Sequence, residues 1–149
     1  MYQYYYEDFK VGETIEIGQH TVTQDEILDF AKKYDPQSFH TDAQAAKDSI
    51  YGGLIASGWH TCAIAMRVAV DVYVSKAASM GSPGMEEIRW LQPVRPGDTL
   101  VIKRTVEEAR HTSKPDRGLV LTRWDVYNQR VEHVMMMRGY GLFGRRVPG

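Results

Sequence analysis

Residues 57–73 read SGWHTCAIAMRVAVDVY, a stretch in which apolar side chains return at intervals of three, four or seven. This spacing is typical of an α-helix with a broad apolar face. The positions on that face are Trp59, Cys62, Ala63, Met66, Val70 and Tyr73. Ser57 is a suitable N-cap residue, and the small residues before it let the backbone approach a neighbour closely. The stretch therefore predicts a long, mostly buried helix that needs a layer to cover it.

The covering layer is predicted on the C-terminal side, where the apolar period changes from helical spacing to two. Alternating segments follow one another at residues 86–94, 100–110, 119–130 and 131–143, with Gly, Pro, Asp or Asn at the turns between them. We expect these segments to form meandering antiparallel strands. A fifth strand is expected at about Thr14 to Val22.

These elements predict an α+β fold class. An antiparallel β-sheet wrapped around one long central helix is a hotdog fold, although the pattern also allows another α+β sandwich. The edge strand of such a sheet must be covered, and pairing into a dimer would cover it.

Two shorter helices are predicted before the long one. Residues 23–34 read TQDEILDFAKKY and open with a capping box formed by Thr23 and Glu26. This helix ends before Pro36, because the residue before a proline is disfavoured in the α region. A second short helix is predicted at about 41–48, so that a tight loop lies between the two.

Length and composition exclude several classes of protein. The chain has 149 residues, of which 43% are hydrophobic, enough for one domain over residues 1–149 with its own core. A formal net charge of −1 argues against bulk affinity for nucleic acid or acidic membranes. The N-terminus lacks the layout of a signal peptide, and the least polar stretch is too short to span a bilayer. We therefore expect a cytoplasmic protein with neither nucleic acid nor membrane among its partners.

The loop at residues 34–42, YDPQSFHTD, places Asp35 and His40 five residues apart across a proline. Histidine is suited to proton transfer near neutral pH, and a nearby carboxylate can share a water molecule with it or hold its ring. The pair can therefore activate water. The spacing alone favours a simpler interpretation, in which Asp35 caps a turn and His40 fills space.

A second candidate site lies at Ser57 and Gly58, where the long helix begins. Free N–H groups and the dipole at a helix N-terminus favour a developing negative charge, so an oxyanion hole can form there. The simpler interpretation is a glycine for close packing and a serine as a cap.

Together, the order of these residues resembles the MaoC-like family of (R)-specific enoyl-CoA hydratases and dehydratases. The resemblance rests on the loop from Asp35 to His40, followed by GGLIASG at residues 52–58, and on PVRPGD at residues 93–98. It covers nearly the whole chain. In three places the sequence departs from the family: Pro36 follows Asp35 directly, Ser57 stands where a histidine often precedes the glycine, and Met66 stands where some short-chain hydratases have a serine.

The resemblance implies a hotdog fold, a homodimer or higher oligomer, and reversible addition of water to a trans-2-enoyl thioester. The thioester would be one of CoA or of an acyl carrier protein, and the product a (3R)-hydroxyacyl thioester. Asp35 and His40 would hold the water, and the Gly58 backbone N–H would polarise the thioester carbonyl. Ser57, beside Gly58, is expected to contact the substrate. No cofactor is implied, because the CoA or carrier-protein handle belongs to the substrate.

Two other functions compete with this one. A hotdog acyl-CoA thioesterase would also use a carboxylate and water but would attack the carbonyl, and the Asp35 to His40 spacing argues against it. A non-catalytic acyl-CoA-binding module is disfavoured by the intact pair and Gly58.

Two further residue types have simpler roles. The remaining histidines lack the spacing of zinc ligands, so no metal site is predicted. His60 is expected to pack, and Cys62 to be an inert core thiol.

Overall fold

The sheet contains five antiparallel strands in the order β1-β3-β4-β5-β2, in a computed structural model that describes residues 1–146. The last three residues of the predicted domain lie outside the described range. The strands are β1 (Thr14–Thr21), β2 (Gly84–Trp90), β3 (Thr99–His111), β4 (Arg117–Tyr127) and β5 (His133–Gly144). Strands β3, β4 and β5 pair in sequence order, so the predicted meander is confirmed for these three.

Strand β2 departs from the predicted meander. It pairs with β5, at the edge of the sheet opposite β1. Both sides of β3 are already paired, one with β4 and the other with β1, so β2 has no free side of β3 to join. The connection at residues 91–98 contains two prolines, which lack the N–H needed for strand pairing. The prediction of one continuous meander is therefore wrong for β2.

The long helix, α4 (Gly58–Val72), lies across the sheet as predicted, and the arrangement is the hotdog fold. Its buried residues are His60, Thr61, Ile64, Ala65 and Ala69. Of the face predicted to be buried, Trp59 is 56% exposed and Met66 is 50% exposed. The prediction of the helix is thus confirmed, but its buried face is wrong at Trp59, Ala63 and Met66, which are exposed, and right at Tyr73, which is buried.

Small side chains explain which face of α4 meets the sheet. Ala65 and Ala69 are almost fully buried, and they let the helix come closer than tryptophan or methionine would. On β1, a Cβ added to Gly18 would lie only 2.9 Å from Val68 Cγ1. Gly18 also has a φ of +154°, which L side chains rarely adopt. Close backbone approach therefore fixes how α4 is rotated.

Three short helices hold the loop that carries the candidate site. They are α1 (Gln24–Tyr34), α2 (Ser38–Thr41) and α3 (Ala43–Lys47). The Thr23 and Glu26 capping box is present at the start of α1, as predicted. The predicted second helix is present as α3, with Asp42 as its N-cap, whose carboxylate accepts from the backbone N–H groups of Gln44 and Ala45. The short helix α2 lies in the stretch that was expected to be a loop.

The core lies between α4 and the inner face of the sheet. Its fully buried members include Leu100, Ile102, Val106, Val120, Val126 and Met135. Within residues 1–146, no helix is both long and apolar enough to cross a membrane.

Candidate active site

Asp35 and His40 meet because the chain turns twice between them. Asp35 ends α1, its backbone N–H donating to Ala31 O, and Pro36 then turns the chain away from the helix. The short helix α2 turns it back and buries His40. His40 Nε2 lies 3.3 Å from Asp35 Oδ2. The predicted pair is therefore assembled.

The tautomer of His40 follows from its second contact. His40 Nδ1 lies 2.8 Å from the backbone carbonyl oxygen of Ile55. A carbonyl only accepts, so Nδ1 must carry the hydrogen. In the neutral ring, Nε2 then presents a lone pair to the Asp35 carboxylate. Two acceptors at this distance need a shared donor, and a water molecule can donate one hydrogen to each.

The Asp35 carboxylate is held on both oxygens. The Ser57 hydroxyl donates to Oδ2 at 2.7 Å, and the Gln37 side-chain amide donates to Oδ1 at 2.7 Å. Burial acts to raise the pKa of Asp35, but these two hydrogen bonds, with a further contribution from His40 whenever its ring is protonated, outweigh it and hold the pKa below its usual range. The carboxylate is therefore ionised at neutral pH.

Ser57 occupies the N-cap position of α4 but makes no capping hydrogen bond with its side chain. It is 0% exposed, and its hydroxyl is directed to Asp35. The simpler interpretation, a serine side chain that caps the helix, is therefore wrong. Contact with substrate stays a prediction.

Gly58 is the first residue of α4, a position whose N–H has no acceptor in a regular helix, whereas the N–H groups of His60 and Thr61 already donate to Ser57 O. A Cβ added to Gly58 would lie 2.5 Å from Trp90 Cε2. The indole of Trp90 thus packs directly on the Gly58 Cα. It also meets Trp59 edge to face, with ring centroids 5.1 Å apart.

These residues line one open cavity of about 540 Å³. Asp35, His40 and Gly58 are among its lining residues, and Gln37, Trp59 and Trp90 contribute to the walls. A second cavity of about 460 Å³ has a mainly apolar lining and shares Trp59 with the first. Its walls include Cys62 and Met66 from α4, Met85 and Ile88 from β2, and Met137 from β5. A pocket that holds the polar groups Asp35, Gln37 and His40 among apolar walls therefore adjoins a mainly apolar one.

The two other residues considered in the sequence take structural roles. His60 is buried and stacks on Phe30, with ring centroids 4.7 Å apart, so the packing prediction is confirmed. Cys62 is partly buried and lines the apolar cavity rather than the core, and burial raises the pKa of its thiol, which disfavours the reactive thiolate. Over residues 1–146, no three His, Cys, Asp or Glu side chains are grouped so that they could hold a metal ion.

Sequence reasoning missed two residues of the site. Gln37 lies inside the loop at residues 34–42, and a side-chain amide two residues from Asp35 is a signal that could have identified it. Trp90 carries no such signal, since only the pairing of β2 with β5 and the packing of α4 bring it to Gly58.

Comparison with known proteins places the chain among relatives of the same fold. A family model described as "MaoC like domain" matches residues 8–126. The crystal structure of a MaoC-like dehydratase from Rhodospirillum rubrum is 39% identical and has a TM-score of 0.87, covering 96% of this chain and 98% of that one. The structure of a monoamine oxidase regulatory protein from Archaeoglobus is 31% identical with a TM-score of 0.87, covering 96% and 95%.

Among curated proteins, Protein MaoC of Klebsiella aerogenes is 30% identical over 115 residues. The match covers 76% of this chain but 33% of that protein. The chain therefore spans about a third of the length of this relative.

Proposed function

Because this chain belongs to the MaoC-like dehydratase family, a hydratase or dehydratase role is supported, and we propose a specific reaction. The protein adds water reversibly to a trans-2-enoyl thioester and gives a (3R)-hydroxyacyl thioester. The observation that carries the proposal is the pair of acceptors, Asp35 Oδ2 and His40 Nε2, held 3.3 Å apart. Such a pair binds a water molecule by both of its hydrogens and leaves its oxygen lone pairs free to attack.

The proposed step proceeds on one face of the double bond. The oxygen of the water forms a bond to the β-carbon while one of its protons passes to the pair. The π electrons move toward the thioester carbonyl, whose oxygen becomes enolate-like, and a proton from the pair then reaches the α-carbon. Water is added as H and OH, and the pair returns to its starting state.

Gly58 would stabilise the charge that develops on the carbonyl oxygen. A fixed N–H donor at that oxygen stabilises the transition state more than the ground state, because the negative charge grows as water adds. Loss of one such donor typically costs ~10²- to 10³-fold in rate.

The apolar cavity is the proposed place for the acyl chain. It shares Trp59 with the polar cavity, so a thioester carbonyl at Gly58 could extend its chain past this residue. CoA or an acyl carrier protein would remain at the open side. Adding water moves no electrons between substrate and protein, so the proposal includes no redox cofactor.

A homodimer is part of the proposal. Strand β2 is an edge of the sheet, and exposed apolar side chains lie on and beside it. They are Trp59, Met66, Met85, Trp90 and Leu91. A second copy that pairs at β2 would satisfy the free edge and cover this apolar surface. Further assembly of dimers and a cytoplasmic location stay predictions.

The test is the loss of the enoyl thioester absorbance band with a series from crotonyl-CoA to decenoyl-CoA. We expect the wild type to hydrate at least one member, and Asp35→Asn and His40→Ala to lose about 10²- to 10⁴-fold in kcat/KM. Asp29→Asn, the same substitution on the exposed side of α1, is the matched control and should keep full activity. Release of free thiol would identify a thioesterase, and binding without turnover a non-catalytic acyl-CoA module.

A further inference from the structure

We infer that Ser57 and Gln37 are positioning residues that clamp the Asp35 carboxylate, one on each oxygen, and thereby aim Oδ2 at His40. The inference rests on the proposed function for its catalytic consequence. The clamp itself is a statement about geometry and ionisation and can be tested without turnover.

The first arm of the clamp is rigid. Ser57 is fully buried at the start of α4, and its hydroxyl lies 2.7 Å from Asp35 Oδ2. The hydroxyl donates its hydrogen to Asp35, and its oxygen accepts no capping bond from the N–H groups of α4. The same Oδ2 lies 3.3 Å from His40 Nε2. The donor therefore fixes the oxygen that takes part in the pair.

The second arm comes from the loop. The Gln37 amide lies 2.7 Å from Asp35 Oδ1, and the backbone of Gln37 is itself fixed at both its N–H and its carbonyl. Its N–H donates to Asp35 O, and its carbonyl accepts from His40 N. The residue thus joins Asp35 and His40 through the backbone and holds the carboxylate through the side chain.

With both oxygens engaged, rotation of the carboxylate would break two hydrogen bonds at once. Both donors are neutral, and a positive charge on His40, once that ring takes up a proton, also lowers the pKa of Asp35. The clamp favours the ionised carboxylate, which accepts both bonds, over the acid, which must give up one of them. We therefore assign the water-derived proton to His40 rather than to Asp35.

The decisive measurement is the titration of the Asp35 carboxyl by ¹³C NMR in protein labelled at aspartate, with Asp35→Asn used to assign the signal. Ser57→Ala and Gln37→Met should each raise the titration midpoint by about one to two pH units, since a hydrogen bond to a charged group is typically ~1.5–3 kcal/mol. Gln37→Glu should raise it further, because it adds a like charge. Ser38→Ala, which removes an exposed hydroxyl from the same loop, should leave it unchanged.

Kinetics supply the second readout. In both clamp variants, kcat should fall about tenfold with little change in KM, and the acid limb of the pH profile should move upward with the NMR midpoint. The error of such a titration is about 0.3 pH units. If the Asp35 midpoints of Gln37→Met and Ser57→Ala both lie within about 0.3 units of the wild-type midpoint, the clamp is wrong.

The two levels of proposal fail separately. If the wild type has no hydratase activity but the Ser57 and Gln37 variants still raise the titration midpoint of Asp35, the proposed function is wrong and the clamp stands. If the wild type is active but the variants change neither the midpoint nor the pH profile, only the clamp is wrong. Should Ser57→Ala not fold, Gln37→Met decides the question, since Gln37 is exposed.

Discussion

Asp35 and His40 show how much of a site is set by atoms that do not react. The carbonyl of Ile55 selects the His40 tautomer, and Ser57 and Gln37 hold the carboxylate. Each support is a single hydrogen bond of ordinary length. Together they leave one lone pair on His40 and one carboxylate oxygen facing each other, which is the feature that binds water.

Gly58 has two roles: its Cα packs against the Trp90 indole, and its N–H is the proposed donor to the thioester carbonyl. Replacing it by Ala should cost about 1–3 kcal/mol in free energy of unfolding, because the new Cβ would overlap the Trp90 indole. In a Trp90→Ala background the same change should be neutral or slightly stabilising, since Ala is the better helix residue. Urea unfolding of the four proteins in this cycle measures the difference. Equal costs in both backgrounds would show that Trp90 is not the reason for the glycine.

Val131 carries backbone strain away from the site. It lies in the turn between β4 and β5 with a φ of +60°, a conformation that is costly for a β-branched residue. Its side chain is exposed, so little packing is lost on removing it. Val131→Gly should therefore gain about 0.5–1 kcal/mol in unfolding free energy. Val131→Ala keeps the Cβ and serves as the control, and a loss of stability in the glycine variant would contradict the argument.

At the scale of elements, α1 and α4 are joined by a stack between Phe30 and His60. His60 is buried, and its Nδ1 has no hydrogen-bond partner among the described residues. Burial lowers the pKa of His60. The charge of Glu26 acts to raise it and that of His20 to lower it further, so that the net shift is downward. The contact between the two helices therefore requires a neutral imidazole.

This requirement predicts a pH dependence of stability. With the folded pKa below the unfolded value of about 6.5, the unfolded chain binds the proton more readily, so stability is lost as pH falls through that range. The wild type should lose stability relative to His60→Leu between about pH 7 and 5, by at most ~1.4 kcal/mol per pH unit. Urea unfolding at several pH values tests this. A difference that stays constant with pH would contradict it.

At the scale of the whole molecule, the exposed residues of α4 and β2 form one surface. Met66 and Met85 line the same apolar cavity from these two elements, and both are substantially exposed. The opposite edge of the sheet, β1, has its own exposed apolar residue, Ile15. The two edges can therefore be compared directly as dimer interfaces.

If copies pair at β2, Met66→Lys and Met85→Lys should each weaken the dimer at least about tenfold, because burying an unpaired charge costs more than ~1.4 kcal/mol. Ile15→Lys, the same change at the other edge, should leave the dimer intact. Light scattering over a concentration series measures this. Dissociation caused only by Ile15→Lys would place the interface at β1.

The sequence by itself determined the local elements and the residues that could react. Helix α1 with its capping box, helix α4 and the strand segments follow from periodicities and caps that involve residues a few positions apart. The Asp35 to His40 loop was predicted for the same reason, since its proline and spacing are local. The resemblance to the MaoC-like family then indicated hydratase or dehydratase chemistry, and the family match over residues 8–126 supports that role.

Only the tertiary structure decided the neighbour of β2, the buried face of α4 and the supports of Asp35. Each depends on parts of the chain far apart in sequence: β2 joins β5 because both sides of β3 are taken, and α4 lies close to β1 at Gly18, where a Cβ would crowd Val68. Ser57 holds Asp35 because the start of α4 lies against the end of α1. The spacing of apolar residues along the chain is the same for either neighbour of β2 and for any rotation of α4. Only the volumes and hydrogen bonds of the packed chain distinguish these arrangements.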